Sequence, residues 1–136
     1  MVKLTEDEVI IHLGSWLENK GWYIEEQCLG HKRGNDILAK KDGQKLYVEA
    51  KGAKGNPKSH VTTRDHFDSG QLKTHLGKAL IKILELKNKY PGNLYAIAHP
   101  DDEYVREHLE DIIQEINKLG FIIFWVKSAE QIIEQK

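Results

Sequence analysis

The chain has 136 residues and a mass of 15.7 kDa, the size of one domain. Hydrophobic residues make up 40% and charged residues 30%, a mix that builds a core and argues against disorder. Net charge is -1, so the chain is not a generally basic binder, and no apolar run approaches the ~20 residues that cross a bilayer.

The charge is unevenly spread. Residues 1–30 carry 2 basic and 6 acidic side chains, residues 31–90 carry 14 and 6, and residues 91–136 carry 4 and 9. A cationic middle inside a neutral protein suits a polyanion partner, although charge alone favours the plainer reading of lysines solvating helix faces. The N-terminus turns acidic at once and lacks the apolar stretch of a signal peptide. Cys28 is the single cysteine, which excludes an internal disulfide and a thiolate zinc site and fits a cytoplasmic location.

Thr5-Glu6-Asp7-Glu8 has capping-box form, and Val9, Leu13, Trp16 and Leu17 follow at helical spacing up to Gly21. Trp22 to Leu29 reads as a strand through its aromatic and β-branched content. Residues 35–40 and 45–51 flank Asp42-Gly43, the favoured pair for a two-residue type I′ turn, and so form a hairpin. With that turn at the centre, Ile37 faces Val48 and Ala39 faces Leu46. Strand alternation then sends Ile37, Ala39, Leu46, Val48 and Ala50 to one face, and Asp36, Leu38, Tyr47, Glu49 and Lys51 to the other.

Gly52 to Gly70 has no period, and loops of this length are functional or mobile. Leu72, Leu76, Ala79, Leu80, Ile83 and Leu86 define a helix that stops before Pro91-Gly92. Residues 93–98 read as a buried strand. Val105, Leu109, Ile112, Ile116 and Leu119 mark another helix, closed by Gly120. Phe121 to Val126 is apolar on both faces, as in a strand covered on both sides. Ser128 to Gln131 has capping-box form and predicts a short last helix. The expected order is αβββαβαβα: a single α/β domain over residues 1–136, with a mixed central sheet.

The hairpin register puts Asp36 opposite Glu49, two carboxylates at ~5 Å cross-strand spacing, which is destabilising without compensation. A divalent cation bridging them resolves the conflict, because Mg²⁺ takes oxygen ligands and completes its shell with water. Lys51, two residues beyond Glu49 on the same face, is placed to stabilise a phosphate or orient a nucleophile. A solvated hairpin face, with Lys40, Lys45 and Lys51 screening the acids, is the plainer alternative. His60, His66 and His75 offer a weak zinc pattern, lacking cysteines and i, i+4 spacing on a helix.

Asp36, followed on the next strand by Glu49-Ala50-Lys51, resembles the PD-(D/E)XK nuclease superfamily, which includes restriction endonucleases and archaeal Holliday-junction resolvases. That superfamily's αβββαβ core corresponds to residues 5 to 98, leaving a C-terminal αβα extension. Asn35 stands where the motif often has proline. The resemblance implies a restriction-endonuclease-like three-layer sandwich in which Asp36 and Glu49 bind Mg²⁺, with Mn²⁺ as substitute, and Lys51 assists catalysis. It offers Glu8 as the first-helix acid and third metal ligand, although Glu8 is also the capping-box residue and Glu6 and Glu18 are alternatives. Gln71 stands where some groups carry a helical glutamine. Lys54, Lys58, Arg64 and Lys73 would then track DNA phosphates, contacts that position a duplex without reading sequence. The implied activity is Mg²⁺-dependent DNA endonuclease, structure-selective rather than site-specific, with a homodimer expected because cutting two strands takes two sites. A catalytically silent nucleic-acid-binding or assembly module of the same fold is the second hypothesis.

Overall fold

The computed structural model describes residues 3–55 and 66–136. It contains helix α1 (Glu6–Asn19), strands β1 (Tyr23–Gln27), β2 (Ile37–Lys41) and β3 (Gln44–Ala50), helix α2 (Ser69–Lys89), strand β4 (Leu94–Pro100), helix α3 (Glu103–Lys118), and strands β5 (Ile122–Val126) and β6 (Ile132–Gln135). The strands form one open six-stranded sheet in sequence order. β1, β2 and β3 pair antiparallel, β3, β4 and β5 pair parallel, and β5 and β6 pair antiparallel.

The hairpin turn sets the sheet's geometry. Asp42 and Gly43 both take positive φ, 51° and 79°, which a type I′ turn requires at its two central positions. The resulting register pairs Ile37 with Val48 and Ala39 with Leu46, as the turn chemistry predicts.

Both faces of the sheet are covered. Ile37, Ala39, Leu46, Val48 and Ala50 pack under α1 with Val9, Ile10, Leu13 and Leu17. Leu38, Tyr47, Tyr95, Ile97, Ile123 and Trp125 pack on the opposite face under α2 and α3. The two helices share that face because β3–α2–β4 and β4–α3–β5 step the same way along the sheet. Crossovers of one hand then land on one side. β5 is buried along its whole length between the two layers, so it is core and not a docking face.

The C-terminus differs from expectation. Ser128 does act as a local cap, its Oγ accepting from the Glu130 and Gln131 amides, but a turn follows and not a helix. Ile132 to Gln135 instead satisfies the open edge of β5 as strand β6, pairing Val126 with Ile132 and Ile123 with Gln135. Gln135 Oε1 also accepts from the Trp125 indole at 2.8 Å, and its Nε2 donates to Asn117 of α3 at 2.7 Å. A hydrogen-bonded edge outweighs four residues of helix propensity, since so short a helix is barely stable in isolation. The extension is therefore αββ, not αβα.

Among the described residues, no helix is long and apolar enough to cross a membrane.

Candidate active site

Chain segment 51–54, immediately after β3, is fastened from three directions. The Lys51 amide donates to Ala98 O at 2.9 Å, prolonging the β3–β4 ladder. The Ala53 amide donates to Leu4 O at 2.8 Å, and Thr5 bridges Lys54 in parallel fashion. The Phe67 amide donates to Ala53 O at 2.8 Å. Gly52 makes this crossing possible, because a β-carbon there would stand 2.5 Å from the Glu6 amide nitrogen. The N-terminus of α1 is thus pressed against the C-terminal end of β3, where Glu49 and Lys51 lie.

Three carboxylates converge at this end. The Asp36 carboxylate accepts from the Ala50 amide at 2.8 Å through Oδ2, which holds it beside the Glu49 strand position. Burial raises the Glu49 pKa to about 7, and repulsion from Asp36 is the next largest cause. Glu6 is raised to about 7 in the same way, by burial first and Asp36 second. Asp36 is also raised, by burial, against the opposing pull of the Ala50 amide and Lys51. The Lys51 ammonium lies 4.0 Å from Glu6 Oε1 and offsets part of this repulsion. Half-buried acids raised by burial and by a neighbouring carboxylate mark a site with stored electrostatic cost, a common sign of function.

Glu8 is elsewhere employed. Its Oε1 accepts from the Thr5 amide at 2.9 Å, and its own amide donates to Thr5 Oγ1 at 3.2 Å, so the capping box is complete. Glu6, one of the two alternatives in sequence, is the first-helix acid that meets Asp36, Glu49 and Lys51. Gln71 likewise closes a capping box, accepting from the Asp68 amide at 2.9 Å while Asp68 accepts from the Gln71 amide at 2.8 Å. Lys54 joins Glu6, Lys51, Gly52, Phe67 and His75 around a cleft of about 160 Å³. Lys73 is exposed on the first turns of α2, whereas Lys58 and Arg64 lie outside the described residues.

Sequence reasoning missed His99. It is 1% exposed on β4, and neither ring nitrogen has a hydrogen-bond partner. Burial lowers its pKa to about 3, and Lys51 and His75 add to the shift, so the ring is neutral. His75, from α2, is lowered too, by burial and then by Lys51 and Lys78. Two neutral imidazoles therefore stand behind Lys51. The available signal was a polar residue inside an apolar strand, masked because His99-Pro100 reads as a strand exit.

The donor set suits a hard cation in chemistry, being carboxylate oxygens with excess negative charge. Among the described residues, no group of three or more His, Cys, Asp or Glu side chains forms a ready-made metal cage. Mg²⁺ does not need one, since it commonly takes one or two protein carboxylates and completes its octahedron with water and substrate phosphate.

Comparison with known protein families, curated proteins and solved structures finds no match to this chain.

Proposed function

We propose that the chain is a Mg²⁺-dependent DNA endonuclease of the PD-(D/E)XK type, with a restriction-endonuclease-like sandwich and resolvase-like selectivity for DNA structure. One observation carries the reading: the Asp36 carboxylate, just before β2, accepts from the Ala50 amide beside Glu49, whose pKa it raises, while Lys51 lies 4.0 Å from Glu6 at the same end of β3. A purely structural hairpin has no reason to retain that repulsion half-buried.

Asp36 and Glu49 are the residues to hold the cation, with Glu6 at its margin. A bound cation of this kind neutralises phosphate charge and makes a nearby water more acidic. Lys51 presents its ammonium to the scissile phosphate, on a backbone held by the Ala98 carbonyl, so its position is set before substrate arrives. Neutral His75 and His99 do not add positive charge behind Lys51. Glu6, with a pKa near 7, is suited to accept or return a proton at neutral pH.

The test is incubation of the purified chain with supercoiled plasmid, linear duplex, four-way junction and single strand, in Mg²⁺ or Mn²⁺ and in EDTA. Metal-dependent cleavage, strongest on the junction, is expected, and sedimentation of the active species should give a dimer. Binding without cleavage in either metal would favour the second reading, a silent DNA-binding module. The lack of a three-residue cage among the described residues is the observation on its side.

A further inference from the structure

A second cleft lies between the loop before β2 and helix α2. Its volume is about 350 Å³, and Gly34 and Asn35 form one wall while Lys82, Glu85 and Lys89 of α2 form the other. Asn35 directly precedes Asp36, and Lys82 lowers the pKa of both Asp36 and Glu49. Lys82 thus acts on the same two carboxylates, Asp36 and Glu49, that Lys51 acts on from the smaller cleft.

The Gly34–Asn35 wall is built and fastened. The Asn35 amide donates to Glu26 Oε1 at 2.6 Å, and the Cys28 amide donates to Asp36 O at 3.1 Å. Gly34 has φ of 135°, and a β-carbon there would run into the Glu26 carboxylate, so the loop closes over β1 only with glycine. On the facing wall, Lys82, Glu85 and Lys89 recur at i, i+3 and i+7, one stripe of a helix that Lys78 continues one turn earlier. Among the described residues, neither Lys82 nor Lys89 has an ion-pair partner.

We propose that this cleft is a phosphate-binding track for one strand of a DNA duplex. The strand runs from the Lys51–Lys54 cleft, across Asp36 and Glu49, and out between Asn35 and the Lys82–Lys89 stripe. Lys82 and Lys89 are seven residues apart, ~10 Å along the helix axis. At that separation each lysine can meet a different phosphate of one strand. A small anion would not need lysines spread over both clefts. The track rests on the nucleic-acid part of the reading above and is independent of cleavage.

The experiment is the salt dependence of binding to a fluorescent 20-base-pair duplex in EDTA, for the parent and for Lys82→Ala/Lys89→Ala. Losing two phosphate contacts should flatten the slope of log K against log salt by about 1.8 and weaken binding about tenfold or more at low salt. A charge-matched control, Lys20→Ala/Lys136→Ala, removes two lysines from the cavity under the start of β3 and β4, and should retain the parent slope. Thermal melting of each variant reports folding. An unchanged slope in Lys82→Ala/Lys89→Ala overturns the track, as does an equal loss in the control or a parent that binds no duplex. Tighter binding of an RNA duplex overturns the assignment to DNA. A flattened slope in a protein that cleaves nothing upholds the track and sinks the nuclease reading alone.

Discussion

Gly52 and Glu6 touch through their backbones: a β-carbon added at Gly52 would lie 2.5 Å from the Glu6 amide nitrogen and 2.8 Å from the Thr5 carbonyl carbon. These are backbone atoms in a capped helix start, which cannot swing aside as a side chain would. Gly52→Ala should therefore cost ~1–3 kcal/mol by overpacking and push α1 away from β3. Chemical denaturation would read the loss. If stability is unchanged, α1 is not held against residue 52 as described.

Mg²⁺ should stabilise the fold, because a ligand that binds only the native state adds RT ln(1 + [L]/Kd), ~1.4 kcal/mol at ten times Kd. Asp36→Asn should abolish this increment while keeping an oxygen to accept from the Ala50 amide. The metal-free variant should melt higher than the parent, since repulsion on Glu49 and Glu6 is relieved. Melting curves with and without Mg²⁺ decide the matter, and a retained metal response would move the metal elsewhere.

Glu6 and Glu8, two residues apart, should behave as different kinds of residue. Glu8→Ala removes the acceptor for the Thr5 amide and should cost ~0.5–1 kcal/mol of stability without altering the Mg²⁺ response. Glu6→Gln should do the reverse, changing metal response and cleavage with little loss of stability. Identical profiles for the two variants would refute the assignment.

His99 predicts a pH dependence with a definite sign. Its folded pKa of about 3 lies below the ordinary 6.5, so the native state binds fewer protons than the unfolded chain. The contribution is complete above about pH 6.5 and is lost as pH falls towards 3. Glu6 and Glu49 act oppositely: their pKa of about 7 exceeds the ordinary 4.5, so their contribution is present below 4.5 and lost as pH rises through 7. His99→Leu, which also removes two unpartnered buried nitrogens, should flatten the acid side of the stability profile. Glu49→Gln should flatten the neutral side. Melting between pH 4 and 8 separates them, and a His99→Leu profile parallel to the parent below pH 6 would remove His99 from the account.

Lys51→Ala should lose cleavage and keep most DNA affinity. One lysine among several supplies a fraction of the counterion release, whereas catalysis depends on its position beside Glu49 and Glu6. Cleavage at the parent rate would end the Glu49-Ala50-Lys51 reading.

What the sequence determined by itself was local. Asp42-Gly43 dictated a type I′ turn, and the turn dictated which residues face each other from Ile37 and Val48 inward. Thr5 and Glu8 specified a helix start through four adjacent residues, and the apolar run in β5 announced a strand covered twice. The tertiary structure decided whatever depended on distance between segments remote in sequence. β6 exists because β5 had an open edge, which overrode the helix signal at Ser128. Glu6 became the third acid because Gly52 lets α1 approach β3, a fact invisible in a string where Glu6, Glu8 and Glu18 look alike. Lys82 reads as one more solvated helix lysine until the Gly34–Asn35 loop is folded opposite it. His99 is an ordinary letter until burial leaves both its nitrogens without a hydrogen bond. Turns and caps act over four residues, so they can be read along the chain. Burial and charge repulsion act through space, so they appear only when the sheet brings distant residues together.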